Sequence, residues 1–236
     1  MNSMVSIITP SYKSERFISK TIETVLNQTY KKWEMIIVDD LSPDNSNDII
    51  EKYAKQDSRI KLIRLLENSG PAVARNRAIE EAGGRYIAFL DADDLWKMDK
   101  LEKQIDFMNE NDLAFTYSSY DLIDEDDNTL GYFKTKEQIT YGEMLKTSSV
   151  GCLTAIYDTN KIGKVYMPII LKRQDYALWL TLANFYGEIV SDKMISAKYT
   201  KQSGSLSANK FEMLNTCTCV IIKGGINFII YMHIQN

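Results

Sequence analysis

The sequence predicts an α/β fold built on a mostly parallel sheet flanked by helices. Three observations carry that expectation. Four short apolar, β-branched runs recur at near-even intervals: Val5 to Thr9, Glu34 to Val38, Ile60 to Leu65 and Tyr86 to Leu90. A stretch with helical spacing of apolar residues separates each run from the next. The fourth run passes without a break into Asp91-Ala92-Asp93-Asp94, so carboxylates crowd one strand end.

Taken in order, Phe17, Ile18, Ile22, Val25 and Leu26 lie on one face of the first helical stretch, and Ile49, Ile50 and Tyr53 mark the second. The third opens at Pro71, which suits a first helical turn, runs through Val73, Ala74, Ala78 and Ile79, and meets a stop at Gly83-Gly84. Beyond Asp94 the pattern is irregular. A helix is expected from Leu95 to Asn109, a strand from Leu113 to Tyr117, and an exposed turn between two strands over Asp121 to Asn128. Two further helices are expected over Tyr141 to Thr147 and Asp175 to Tyr186, the second with Leu178, Trp179, Leu182 and Phe185 on one face.

Composition excludes several function classes. A chain of 236 residues with 44% hydrophobic content suits one large domain with a sizeable core. Its net charge of −4 argues against nucleic acid as the main partner. The opening Met1-Asn2-Ser3-Met4-Val5-Ser6 has no basic stretch followed by an apolar run, so no secretory signal is expected. Cys152, Cys217 and Cys219 form a sparse, odd set that suits a reducing, cytoplasmic setting and lacks zinc-ligand spacing. The only histidine is His233, which removes Ser-His-Asp and histidine-base chemistry and leaves acid–base work to carboxylates. Val220 to Ile234 is apolar but interrupted by Lys223, Gly224-Gly225 and Asn227, and too short to span a bilayer. It is expected at a membrane interface or against the core.

In open parallel sheets, ligands bind outside the carboxyl ends of the strands. Those ends are Pro10-Ser11-Tyr12, Asp39-Asp40, Leu66-Glu67-Asn68 and Asp91-Ala92-Asp93. In an extended segment residues i and i+2 share a side, so Asp91 and Asp93 are expected to converge on a hard divalent cation, Mn²⁺ or Mg²⁺, while Asp94 turns away. The competing reading is a turn that caps the next helix. Pro10 to Glu15 offers no G-x-G-x-x-G cradle for a pyrophosphate, so a bound diphosphate would depend on the metal. Asp39 can accept from a base N–H or a ribose hydroxyl, and Tyr12 can pack on the base. Arg75, in the helix after the Asn68-Ser69-Gly70 turn, can reach the nucleotide or tie down Asp39 or Asp91.

Six blocks in this order resemble the family-2 glycosyltransferases, which have the GT-A fold: Val5 to Tyr12, Leu26 to Tyr30, Trp33 to Asp40, Gly70 to Asn76, Tyr86 to Asp94, and Arg173-Gln174-Asp175-Tyr176. The resemblance covers about Met4 to Lys210. It implies a single domain over 1–210, with a nucleotide-binding half (1–94), an acceptor-binding half (95–210) and an atypical tail (211–236). It further implies inverting transfer of a sugar from a nucleotide-diphosphate donor, a UDP-sugar, to a hydroxyl of a glycan or lipid-linked acceptor. The setting implied is bacterial surface polysaccharide assembly at the cytoplasmic face of the membrane, with peripheral membrane contact. Carried over by position, Pro10, Tyr12 and Asp39 hold the base and Arg75 lies beside the nucleotide. Asp91 faces the ribose side as a shared donor contact, Asp93 is the direct metal ligand, and Asp175 is the catalytic base, oriented by Arg173.

Asp175 also suits the N-cap of a helix from Tyr176, where nearby backbone N–H groups would keep it ionised. Trp96 is as well suited to a sugar platform as to the core, whereas helical spacing puts Trp179 in the core. Tyr199 to Lys210 resembles the loop that closes over the donor, but Thr200 stands where relatives carry a basic residue, leaving Lys198 or Lys201 as substitutes. Cys217 to Asn236 departs from the family pattern. Two other readings remain open: a metal-dependent phosphatase of the haloacid dehalogenase type, and a non-catalytic nucleotide-binding relative. The first fits poorly, because its D-x-D motif follows the first strand and continues into Gly-Thr rather than Asp94-Leu95.

Overall fold

A computed structural model of the chain describes residues 3–147, 149–170, 172–186, 188–201, 217–223 and 226–232. The first half alternates strictly: β1 (Val5–Ser11), α1 (Ile18–Leu26), β2 (Trp33–Asp39), α2 (Ser46–Gln56), β3 (Ile60–Arg64), α3 (Pro71–Glu81) and β4 (Tyr86–Phe89). β1 pairs in parallel with β2 and β4, and β2 in parallel with β3. The chain therefore lays β2 and β3 on one side of β1 and then returns to place β4 on the other. That reversal opens a crevice beyond the carboxyl ends of β1 and β4.

Period-2 alternation along the central strands makes the sheet a wall between two cores. Ile7, Met35, Ile37 and Ala88 face α1, α2 and α4 (Lys100–Glu110), meeting Ile18, Ile22, Ile50, Leu101 and Ile105. Ile8, Ile36, Val38 and Phe89 face α3 and α7 (Gln174–Tyr186), meeting Ala74, Ala78, Ile79 and Trp179. Trp179 is fully buried and packs edge-on to Phe89 at 5.4 Å, a core role.

The second half is mixed. Its elements are β5 (Leu95–Trp96), β6 (Phe115–Ile123), β7 (Thr129–Phe133), β8 (Gln138–Thr140), α5 (Tyr141–Met144), a 3₁₀ turn (Cys152–Thr154), β9 (Ile156–Asp158), α6 (Thr159–Ile162) and β10 (Glu188–Thr200). These extend the sheet to the order β3-β2-β1-β4-β9-β6-β10-β5, with β7 on β6 and β8 on β10. β9 enters antiparallel to β4 and β6, ending the parallel run.

Several expected bounds shift. The helix expected from Leu95 starts at Lys100, because Leu95 and Trp96 pair with Lys198 and Ala197 of β10 as a short strand. Trp96 is buried, donates from Nε1 to the Leu153 carbonyl at 2.8 Å, and so serves the core rather than a sugar platform. The strand expected over Leu113 to Tyr117 runs over Phe115–Ile123, carried on by its pairing with β10 and β7. α5 stops at Met144 after a Thr140–Glu143 capping box. In the tail, β11 (Cys217–Lys223) and β12 (Ile226–Met232) pair antiparallel as a separate two-stranded sheet. His233, and the expected closing loop beyond Lys201, lie outside the described residues. Among the described residues no helix is long and apolar enough to cross a membrane.

Gly84 is required by close approach and not by a left-handed backbone. A Cβ there would lie 2.7 Å from the Ser6 N and Oγ and 2.8 Å from the Met4 carbonyl oxygen. Its N–H donates to Ser6 Oγ, which donates to the buried Glu34 carboxylate, itself paired with Lys61. Gly84→Ala is expected to lower unfolding free energy by about 1–3 kcal/mol through overpacking at the start of β4. Urea denaturation measures it, and an unchanged midpoint would show that β1 and β4 separate there at no cost.

Candidate active site

The reversal between β1 and β4 produces a cleft of about 510 Å³. Pro10, Ser11, Tyr12, Lys13 and Ser14 line it from the end of β1, Asp40 from β2, Asn68, Gly70, Pro71 and Ala74 from the start of α3, and Asp91, Ala92 and Asp93 from the end of β4. All four strand ends singled out in the sequence thus contribute a wall, except that Asp40 replaces Asp39. Tyr12 is half exposed, with the Lys13 ammonium 5.2 Å from its ring centre.

Asp39 lies beneath this wall, buried, with protein donors at both oxygens. Ser42 donates from its N–H at 2.8 Å and its hydroxyl at 2.5 Å, Asn47 from Nδ2 at 2.9 Å, and Ser11 from its hydroxyl at 3.3 Å. Four bonds fill the acceptor capacity of a carboxylate. The structure therefore differs from the free acceptor expected at Asp39. Its neighbour Asp40 accepts from the Ser69 and Gly70 N–H groups at 2.7 and 2.8 Å, and so sets the loop that starts α3. Gly70, at φ +88, supplies a backbone conformation there that few side chains tolerate.

The D-x-D segment is not extended. β4 ends at Phe89, and the Asp94 N–H donates to the Asp91 carbonyl at 3.1 Å, closing a turn. Asp91 and Asp93 both line the cleft, but from this turn and not from an extended strand. The helix-capping alternative fails, since Asp99 stands at the N-cap of α4. Thr21 of α1 donates to the Ala92 and Asp94 carbonyls at 2.8 and 3.0 Å, and the buried Asp94 carboxylate accepts the Thr200 N–H at 3.0 Å. The turn is thus latched to α1 on one side and to β10 on the other.

Its charge is balanced by one guanidinium. Arg75, on the inner face of α3 and almost fully buried, donates from Nη2 to Asp91 Oδ1 at 2.6 Å. Burial works against its charge, but Asp91, Cys152 and Asp175 together hold it above the ordinary arginine value. Its Nε is buried without a partner among the described residues, an uncommon state for a strong donor. Burial and the Asp91 carboxylate push the Asp93 carboxyl up to about 6. Burial, Asp93 and Asp91 push Asp94 well above the usual carboxylate range.

Asp91 and Asp93 face the cleft and Arg75 pairs with Asp91, so the Asp93 carboxylate, once ionised, fits a cation. Among the described residues no group of three or more His, Cys, Asp or Glu is placed to hold a metal ion by itself. Two carboxylates on a cleft wall instead suit Mg²⁺ or Mn²⁺ that completes its shell with water and substrate phosphate.

Asp175 sits in the first turn of α7 as its second residue, since the helix starts at Gln174, two positions inside the N-cap role expected. Burial pushes its carboxyl up, and Asp91 adds to this, while Arg75 and the Tyr176 N–H oppose it. The Tyr176 N–H thus favours the ionised carboxylate, as expected of a helix start, while desolvation works against it. The cation that acts on it is Arg75, not Arg173, whose guanidinium lies 6.0 Å from the Tyr176 ring centre. Lys198, one of the expected phosphate contacts, pairs with Asp127 at 3.0 Å.

Two residues join this cluster without a signal in the sequence. Cys152, in the 3₁₀ turn before β9, has its thiol pushed up by burial and interacts with Arg75, Asp91 and Asp175. Tyr120 of β6 stacks on Phe133 at 5.1 Å and is pushed up to about 12 by burial, Tyr199, Asp94 and Asp175. A Cβ at Gly151 would lie 2.6 Å from the Tyr120 ring, so the glycine makes room for that tyrosine. Only the long-range fold could reveal these neighbours.

The sequence profile of glycosyl transferase family 2 matches residues 6–162. The chain is 46% identical over 210 residues to the putative teichuronic acid biosynthesis glycosyltransferase TuaG of Bacillus subtilis (strain 168), covering 89% of this chain and 83% of that protein. It is 40% identical over 212 residues to the UDP-Glc:alpha-D-GlcNAc-diphosphoundecaprenol beta-1,3-glucosyltransferase WfgD of Escherichia coli, covering 89% and 82%. Among solved structures, S. aureus TarS 1-349 in complex with UDP superimposes with a TM-score of 0.69 at 26% identity. That match covers 84% of this chain and 61% of the TarS chain, so this protein spans about three-fifths of its length. The phosphatase alternative finds no support in these relationships. With the profile matched from β1 to α6 and relatives alike across most of both chains, the protein belongs to glycosyl transferase family 2 and has the GT-A fold.

Proposed function

We propose that this protein is an inverting, metal-dependent glycosyltransferase that moves a sugar from a UDP-sugar to a hydroxyl of a lipid-linked glycan, in bacterial surface polysaccharide synthesis at the cytoplasmic face of the membrane. The observation that carries the reading is the meeting of Asp91, Asp93, Arg75 and Asp175 beside a cleft at the sheet reversal. The name of WfgD specifies a UDP-glucose donor and a diphosphoundecaprenol acceptor for that relative, and TarS has been solved with UDP and with UDP-GlcNAc. Both lend support to the donor class.

In this reading the nucleoside lies against Pro10 and the Tyr12 ring, and its N–H reaches Asp39 in place of the long 3.3 Å bond from Ser11. Asp93, with Asp91 beside it, would hold a divalent cation, Mn²⁺ or Mg²⁺, which when bound would supply positive charge for a departing diphosphate. Arg75 fixes the Asp91 carboxylate and offers its unpartnered Nε to the same region. Asp175 takes the proton of the acceptor hydroxyl as that oxygen bonds to the anomeric carbon. The bond from that carbon to the diphosphate oxygen breaks on the opposite face, and its electron pair leaves with UDP. A carboxyl raised by burial is a stronger base than an exposed one, which suits this task.

Three outcomes follow from these assignments. Asp93→Ala is expected to remove both sugar transfer and the Mn²⁺ dependence of UDP binding by calorimetry, and undiminished transfer would sink the metal assignment. Asp175→Asn should leave donor affinity intact and slow transfer by about 10²–10⁴-fold, the span expected for a general base. Persistent turnover would assign the proton to another group. Arg75→Gln leaves Asp91 without its partner and is expected to cost about 1–3 kcal/mol in urea unfolding. Pairing it with Asp91→Asn should recover part of that loss, and strict additivity would show that the two side chains are not coupled.

A further inference from the structure

We propose that Lys13 is a donor-binding residue whose ammonium takes a phosphate oxygen of the nucleotide. The inference rests on the nucleotide-sugar reading for its ligand and adds the protein cation that the diphosphate meets. The candidates expected after β10 do not serve: Lys198 is engaged by Asp127, and neither it nor Lys201 lines the cleft. Arg75 is engaged by Asp91.

Charge at the cleft wall singles out Lys13. Among the described residues that line the cleft, Lys13 alone is cationic, while Asp40, Asp91 and Asp93 are acidic. The Lys13 side chain is exposed, has no carboxylate partner among the described residues, and rests with its ammonium 5.2 Å from the Tyr12 ring centre. A cation over an exposed tyrosine is held weakly. An ammonium on a phosphate oxygen makes a charge-assisted hydrogen bond, roughly twice as strong as a neutral one. A nucleotide that stacks on Tyr12 and meets a metal at Asp93 carries its phosphates between the two, and Lys13 and Ser14 follow Tyr12 on the same wall. The flexible four-carbon stem gives the ammonium reach along it.

The backbone supplies an independent reason. Lys13 has φ +51, in the left-handed region that Gly and Asn enter readily and a lysine rarely does. Such a conformation persists only where the surroundings over-determine it. Here the Lys13 N–H donates to Ser42 Oγ at 3.0 Å, the Ser14 N–H to Ser46 Oγ at 2.9 Å, and the Glu15 N–H to Asp44 Oδ2 at 3.2 Å. Ser42 is itself bonded to Asp39 at the end of β2. These bonds fix the loop between β1 and α1, so the fold imposes the left-handed residue and the sequence fills it with a lysine.

Asparagine would sit there with less strain and could accept the same backbone bonds. What lysine adds is a charge on a long stem, carried into a cleft whose other charged side chains are acidic. Side chains held in strained conformations gather at ligand clamps, and a diphosphate is the part of the donor that a lone cation recognises.

The test compares the full chain with its Lys13→Asn and Lys13→Arg variants, by calorimetric titration of UDP and of uridine in Mn²⁺ and by urea unfolding. Lys13→Asn is expected to bind UDP about tenfold more weakly, to bind uridine unchanged, and to lose less UDP affinity than the wild type as salt rises. Its urea midpoint should rise, because Asn tolerates the left-handed backbone. Lys13→Arg keeps the charge and should recover most of the UDP affinity. Unchanged UDP affinity in Lys13→Asn overturns the proposal. So does an equal loss for uridine, which would give the side chain to the nucleoside, and so does a lowered urea midpoint with UDP affinity equally lost in Lys13→Arg, which would make the role structural. A wild type that binds UDP through Lys13 and transfers no sugar supports the contact and overturns the transfer reading. A wild type that leaves UDP unbound overturns the donor reading. Inorganic pyrophosphate in Mn²⁺, bound by the wild type and about tenfold more weakly by Lys13→Asn, would then support the anion contact, and equal binding or none would overturn it.

Discussion

One buried guanidinium sets the terms for the rest of this molecule. Arg75 stands between Asp91 on the turn after β4 and Asp175 at the start of α7, the two elements that carry the proposed metal and proton chemistry. A buried charge persists only when it is paired and hydrogen-bonded. Here the pairing runs both ways: Asp91 keeps Arg75 charged inside the protein, and Arg75 opposes the rise that burial imposes on Asp175. Because Arg75 serves two carboxylates, the segments bearing them cannot be placed independently.

The geometry that makes this possible begins in the backbone. Reversal of strand order at β1 leaves the carboxyl ends of β1 and β4 side by side with no strand beyond them to fill the crevice. α3 returns along the face of the sheet, and its small residues Ala72, Ala74 and Ala78 let it lie close. Arg75 is carried on that buried face, where solvent cannot screen it. On the nucleoside side, Asp39 and Asp40 do the equivalent structural work. Asp39 gathers Ser11, Ser42 and Asn47, and Asp40 holds the amides that open α3. Carboxylates at these strand ends thus order loops as well as meeting ligands.

Much of this was legible in the sequence where structure is local. Apolar alternation and Pro71 mark the four parallel strands and three helices, because each is a short element buried on a predictable face. The strand-end rule then collects Pro10, Tyr12, Asp91 and Asp93 around one cleft. Legibility fails where long-range pairing decides. Two residues, Leu95 and Trp96, form a strand only because β10 returns beside them, and that removes Trp96 from any sugar-facing role. Alternation pointed to Asp91 and Asp93 through an extended geometry that a turn replaces. Cys152 and Tyr120 enter the site from an irregular loop and a distant strand, with no periodicity to announce them. Asp175 stood out in the sequence, but its partner did not: proximity suggested Arg173, whereas the fold supplies Arg75, a hundred positions away in the chain.

The acidic side of the site remains under-compensated by protein alone. One guanidinium faces Asp91, Asp93, Asp94 and Asp175, and the carboxyls of Asp93, Asp94 and Asp175 are all displaced upward by burial. A site optimised for stability would replace at least one of these groups with an apolar residue of similar size, since buried carboxylates cost more than they return. Their retention is intelligible if the missing positive charge arrives with the substrate. Donor affinity, metal affinity and local stability are then linked quantities, because what neutralises the turn after β4 also stabilises the folded protein. The same α3 turn that holds Arg75 also clamps Met167 through Asn76, which ties the chain before α7 to the helix that carries Arg75.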